Sequence, residues 1–301
     1  MLATVLITLL LSGSPATAPY AFTVEVAGAG PPVVLIPGLG CQGAVWGPIS
    51  ARLEKDHTVH RLTLAGFGSQ PAVPAPMLET VRRDLLRYLD DRKLAKPVLV
   101  GHSLGGMLAL WIAATAPDRI AGAVSVDGVP FLPALWDPSA TAESVKPRAA
   151  AMRDAMAAAD HDSYVAQTRR LLATMVRREA NLESAAKACT AGDPRATAQA
   201  MYELMTTDLR PLMAEAKVPI LLLGAGFGRS EADAKRFDTA YQAQIAQAPR
   251  HRYAVNPESA HFIMLDEPQW LYDAIAGFLA KNEPAAADRP ARGRAPAAQK
   301  R

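Results

Sequence analysis

A chain of 301 residues, half of them hydrophobic and a fifth charged, has ordinary globular composition and room for one α/β core with an insertion; no second large domain is required. The formal net charge is +3, and Glu283–Arg301 alone holds five basic and two acidic residues, so the rest is near neutral and no nucleic-acid partner is implied. The two cysteines, Cys41 and Cys189, lack metal-ligand spacing and leave a disulfide between them open.

Leu2–Leu11 is an apolar stretch followed by the small residues of Ser12–Ala18. It is too short to span a bilayer as a helix and suits the core of a signal peptide over residues 1–20. Export to the periplasm or medium is therefore expected. With no Lys or Arg before the stretch, the alternative is an apolar N-terminal strand in a cytoplasmic protein. Phe22–Val26 alternates apolar and polar residues and predicts an outer strand. Gly28, Gly30 and Pro31-Pro32 turn the chain into Val33–Ile36, a buried strand that ends in the flexible loop Pro37–Gly43. A helix is predicted over Val45–Glu54 and a strand over Thr58–Leu64. Pro71, Pro74 and Pro76 lead into a helix over Leu78–Leu89, with Arg82, Arg83, Asp84, Arg87 and Asp90 read as its solvated face.

Pro97–Val100 reads as a buried strand, and Met107–Ala114 is apolar on all sides, as in a helix buried against a sheet. Between them Gly101-His102-Ser103-Leu104-Gly105 fits the G-x-S-x-G turn, which holds a serine in strained backbone above the sheet. The flanking glycines are needed where a Cβ would clash with strand or helix. The turn also leaves the Leu104 N–H at a helix N-terminus, facing any oxyanion. The bland alternative is a glycine-rich connection that happens to contain a serine; strand before and helix after favour the nucleophile.

With these residues the chain resembles an α/β-hydrolase from about Ala21 to Ala280. The resemblance implies a mostly parallel central sheet flanked by helices, a nucleophile–acid–histidine triad and often a helical lid. It makes Leu39 N–H, after Pro37-Gly38, the candidate second donor of an oxyanion hole with Leu104. Pro37 stands where the family usually has His, and Ala65 where it commonly has a structural Asp. Ile120–Val126 predicts another buried strand, ending in Asp127. From Phe131 to Lys217 the pattern is helical and Ala-rich, broken at Pro138, Gly192–Pro194 and Pro211, which resembles the family's cap. Most of its methionines (Met152, Met156, Met175, Met201, Met205, Met213) are expected to fill core. Phe131, Leu132 and Trp136 are placed at the cap entrance, as candidates to line an apolar pocket. Val218–Leu223 returns to the sheet, followed by a helix Glu231–Ala248, a strand His251–Val255 and a closing helix Pro268–Leu279. The basic tail 283–301 has no apolar face to bury and is expected to be disordered. The domains are thus a core over 21–130 and 218–282 with a cap over 131–217.

An ester-cleaving serine needs a base that takes its proton and returns it to the leaving group. Of six histidines, His261 alone lies in a loop after the last strand, where the family keeps its catalytic histidine. His102 is read as support for the turn. The family's commonest acid position, Gly224–Ser230, holds no carboxylate. Asp127, at the end of the strand after the nucleophile helix, is therefore preferred over Glu231 or Asp233, which suit the first turn of the next helix. The expected function is a serine hydrolase of carboxylic esters with an apolar acyl or alcohol group. It would act on a small-molecule substrate, without cofactor or metal. The same triad serves lactone, C–C and acyl-transfer chemistry, and a non-catalytic ligand binder is the alternative from another class. No pattern in the sequence speaks to oligomeric state.

Overall fold

In a computed structural model of the chain, residues 19–282 other than 227 and 229 are described; all of the expected signal segment but its last two residues, and the basic tail, lie outside the described residues. Seven strands form one sheet in the order β1-β3-β2-β4-β5-β6-β7. Largely apolar, buried runs make its centre: β2 (Pro32–Ile36), β4 (Val98–His102), β5 (Gly122–Val126) and β6 (Ile220–Ala225). All pair in parallel, and such strands read as continuous hydrophobic runs because helices cover both faces. The alternating β1 (Phe22–Gly28) lies at one edge, antiparallel to β3 (Thr58–Leu64). The more exposed β7 (His251–Asn256) closes the other edge beside β6.

Successive residues of a strand face opposite sides, and the two cores follow that period. Val34, Ile36 and Leu99 pack with α2 (Met77–Asp91) and α3 (Leu104–Thr115). Val33, Leu35, Val98 and Val100 pack with α1 (Gly47–Leu53) and the closing helix, whose apolar face carries Leu271, Ile275 and Phe278. Fully burying each such side chain contributes about 1.5–3 kcal/mol.

Between β5 and β6 run four helices: α4 (Ala142–Ala157), α5 (His161–Ala173), α6 (Glu179–Cys189) and α7 (Pro194–Thr206). Polar residues start three of them, with Thr141, Asp160 and Asp193 each accepting from a backbone N–H in the first turn. Buried Glu203 of α7 accepts from the Met77 and Leu78 N–H groups at 2.8 and 2.7 Å, supplying the free first turn of α2. The insertion is thus fastened to the core by a charge-assisted cap. The core resumes with α8 (Glu231–Ile245), then α9 (Ile263–Asp266) and α10 (Pro268–Asn282). The short α9 was not expected.

One expected solvated residue is not solvated. Asp84 is only 8% exposed and accepts the Ala21 N–H at 2.9 Å. The segment entering the edge strand packs on this face of α2, its Ala21 N–H on one carboxylate oxygen, Arg87 3.4 Å from the other, and its Tyr20 and Phe22 rings edge-on to Tyr88. Among the methionines, Met213 is fully buried and Met175 and Met201 pack partly buried against the cores, while Met152 is exposed.

Candidate active site

Ser103 ends β4 and opens α3 with φ 52° and ψ −116°, a conformation L-residues rarely hold. Its N–H donates to Val126 O at 2.8 Å. The turn closes only because its neighbours lack side chains: a Cβ on Gly101 would lie 2.0 Å from Gly105 O, and one on Gly105 2.4 Å from Ile36 O. Ser103 is partly exposed, and no group among the described residues hydrogen-bonds its Oγ.

Asp127 follows β5 and also sits at positive φ, 51°. Its N–H donates to Leu223 O at 2.7 Å, which aims the side chain along the carboxyl edge of the sheet. Three donors converge on the carboxylate. His261 Nδ1 donates to Oδ2 at 2.6 Å; Tyr241 OH, from α8, and Ala225 N–H donate to Oδ1 at 2.5 and 2.9 Å. Burial pushes this carboxyl up, but the hydrogen bonds and charge of His261, with the Tyr241 and Ala225 donors, bring it below its ordinary value. The side chains of His261 and Asp127 are 23% and 6% exposed, so the acid is enclosed and the imidazole keeps an open side.

The loop carrying His261 is fastened on both flanks. Ala260 N–H donates to Asp266 at 3.0 Å, and Asp266 also accepts from Arg177 N–H and Asn181 Nδ2. Phe262 N–H donates to Met175 O at 3.2 Å. From the other side buried His102 reaches the loop, its Nε2–H donating to His261 O at 3.0 Å. Burial and the neighbouring His261 push His102 down to about 3, so it is neutral.

The loop after β2 lies beside the serine: a Cβ on Gly38 would stand 2.7 Å from His102 Nδ1 and 3.3 Å from Ser103 Cβ. Neither Leu39 N–H nor Leu104 N–H finds an acceptor among the described residues, so both donors remain available. Two residues beyond Leu39, Cys41 is disulfide-bonded to Cys189 at the end of α6, and Gln42 N–H donates to Ala188 O at 2.9 Å. The insertion therefore holds the loop from above.

The structure brings Ser103, Asp127, His261, Leu39 and Leu104 to one edge of the sheet. Glu231 and Asp233 lie in the exposed first turn of α8, capped by Ser230. Of the other histidines, buried His60 bonds Tyr88 OH and is pushed down to about 4, chiefly by burial. His251 bonds Ala248 O, and His161 begins α5. The entrance role expected of Phe131 and Trp136 is corrected. Phe131 is fully buried under the Arg210 guanidinium. Trp136, 56% exposed, packs edge-on against Phe237 and borders a groove of 540 Å³ with Arg210, Lys235 and Gln244, apart from Ser103 and His261. Leu132 and Leu135 of the 3-10 turn Leu132–Leu135 pack with Ala240, Tyr241 and Ile245 of α8. Tyr241 was missed; the only sequence signal is a phenol on the inner side of an otherwise charged helix. Among the described residues, no group of three or more His, Cys, Asp or Glu side chains is arranged to hold a metal ion.

Comparison with known proteins agrees with this architecture. A profile described as the alpha/beta hydrolase family matches residues 33–274. A pimeloyl-[acyl-carrier protein] methyl ester esterase of Vibrio vulnificus is 25% identical over 266 residues, covering 85% of this chain and 97% of its own. Its counterpart from Aliivibrio salmonicida is 33% identical over 106 residues, and there the chain spans 35% of itself and only 39% of the relative. Among solved structures, a thermophilic esterase from Thermogutta terrifontis aligns with TM-score 0.70 and 21% identity over 87% of this chain and 94% of its own. An enol-lactonase from Burkholderia xenovorans aligns with TM-score 0.68 and 21% identity over 86% and 96%. At such identities the structural likeness speaks to fold alone. With the profile covering most of the chain, the protein belongs to the alpha/beta hydrolase family.

Proposed function

We propose that this chain hydrolyses carboxylic esters through an acyl-serine intermediate. Ser103 Oγ attacks the ester carbonyl while His261 Nε2 takes its proton and then delivers it to the leaving alcohol. Asp127 holds the imidazole with its proton on Nδ1 and stabilises the imidazolium that forms. The Leu39 and Leu104 N–H groups receive the negative oxygen of the tetrahedral intermediate. Water, activated by His261, then attacks the acyl carbonyl and releases Ser103. The observation that carries this reading is the His261 Nδ1–Asp127 Oδ2 contact of 2.6 Å, which keeps the proton on Nδ1 and leaves Nε2 as the nitrogen that can take the serine proton.

The full-length V. vulnificus relative, named for cleaving a methyl ester of an acyl group, supports ester chemistry with an apolar acyl or alcohol portion. The insertion over 131–217 serves as the cap, a role supported by its attachment to the loop at Gln42 and Cys41. Export is supported by the disulfide, which persists in oxidising compartments. Among the described residues no helix is long and apolar enough to cross a membrane. A fluorophosphonate probe tests the reading directly: it should label the native chain and not Ser103→Ala. Nitrophenyl esters of increasing acyl length then define the substrate. Labelling of Ser103→Ala, or ester turnover retained by it, overturns the proposal.

A further inference from the structure

We propose that His102 is a positioning residue for the hydrolysis assigned above, holding the main chain of His261 so that its imidazole stays in register with Ser103. The proposal rests on that assignment and starts from one peptide group. The His261–Phe262 peptide is gripped at both ends, its carbonyl by His102 Nε2–H at 3.0 Å and its N–H by Met175 O at 3.2 Å. One grip belongs to the serine turn and the other to the helical insertion. Because His102 directly precedes Ser103, the first grip ties the base to the nucleophile through a single residue. The His102 ring also lies 4.6 Å from the His261 ring, braced by Phe262 at 4.9 Å and Trp46 at 6.5 Å.

Folding alone does not call for an imidazole here. The ring is 1% exposed among aromatic neighbours, and its Nδ1 has no hydrogen-bond partner among the described residues, a cost that an apolar ring would avoid. What the imidazole supplies is, among the described residues, the one donor aimed at the His261 carbonyl. It does not compete as a base: its Nε2 proton is engaged, and burial keeps the ring neutral. It also adds no positive charge beside His261 when that imidazole takes the serine proton.

The test compares His102→Gln, His102→Asn and His102→Phe, with Ser103→Ala alongside. The Gln amide reaches the Nε2 position and keeps the donor; the Asn amide is one methylene shorter and does not; Phe keeps the ring and loses the donor. Turnover on a nitrophenyl ester is measured per active site counted by fluorophosphonate labelling, so misfolded protein does not enter kcat. Asn and Phe should lower kcat roughly 10- to 100-fold with KM nearly unchanged, as expected when a base is displaced by a fraction of an ångström. Gln should restore most of the loss. Wild-type kcat in both Asn and Phe, or a Gln variant as slow as Asn, overturns the positioning role while an inactive Ser103→Ala leaves the esterase assignment standing. An active Ser103→Ala overturns that assignment instead.

Discussion

Replacing Asp127 by Asn separates shape from charge at the candidate acid, and the hydrogen-bond pattern dictates the result. Oδ1 accepts from Tyr241 OH and from Ala225 N–H, and the second of these can only donate, so the Asn carbonyl must take that place. Its NH2 is then left facing His261 Nδ1 across the 2.6 Å contact. Two donors cannot share that line, so His261 moves its proton to Nε2 and presents N–H, not a lone pair, to Ser103. The same substitution in a well-studied triad costs about ten-thousandfold in turnover, and at 1.36 kcal/mol per decade that is about 5.4 kcal/mol of transition-state stabilisation. Folding should suffer far less, since Ala225 N–H and Tyr241 OH keep an acceptor and the Asn NH2 donates to the Nδ1 that has given up its proton, so no buried group is left unpaired. Steady-state turnover beside a thermal melt measures both quantities. A variant within about tenfold of wild type, a loss of only about 1.4 kcal/mol, would refute the reasoning. So would larger losses in Glu231→Gln or Asp233→Asn.

Tyr241→Phe removes one donor from the same carboxylate, raising the Asp127 pKa toward its ordinary value; turnover should fall roughly 10- to 150-fold, the equivalent of the 1.5–3 kcal/mol typical of a hydrogen bond to a charged group. Opening the Cys41–Cys189 disulfide, which closes a separation of 148 residues, should lower stability by about 5 kcal/mol in the loop-entropy account, measured by denaturation of Cys41→Ser with Cys189→Ser. His102 and His60 titrate in the folded state at about 3 and about 4, below the 6.5 of the unfolded chain. Between those limits the unfolded chain therefore binds more protons, and stability should fall as pH drops from about 6.5 toward 4. His60→Gln should flatten that acid slope in melts followed by circular dichroism. Asp127, with a lowered pKa, adds stability that is present above the unfolded carboxyl value of 3.8 and lost as pH falls through its folded one.

The sheet was legible because its strands obey local rules. Val33–Ile36, Val98–Val100 and Ile220–Leu223 are short apolar runs bounded by Pro or Gly, and each lies in a central parallel strand. The serine turn was legible for a steric reason: the contacts that forbid a Cβ at Gly101 and Gly105 make glycine obligatory at fixed spacing, and such a constraint is written locally. Contacts that join distant segments leave no such mark. Nothing near Tyr241 announces a carboxylate 114 residues earlier, and nothing near Asp84 announces the Ala21 N–H. The direction of Leu132–Trp136 likewise depends on how the insertion settles over α8, which no periodicity in that segment specifies.

The pairing of Asp127 with His261 was legible by a different route, because the usual acid position is empty and only one nearby strand end offers a carboxylate. The structure supplies a physical reason why this place can work. β5 lies between β4 and β6, so a side chain at its end sits between the serine turn and the Ala225 N–H at the end of β6. An acid beyond β6 would draw on groups of the following loop for its orientation. At Asp127 the backbone is instead held by Leu223 O, and the carboxylate by three donors from three separate elements. That many constraints can sustain a residue at positive φ, as they do Ser103 one strand away. Both strained residues therefore stand at the ends of adjacent, fully buried central strands, where the surrounding contacts offset the cost of distortion.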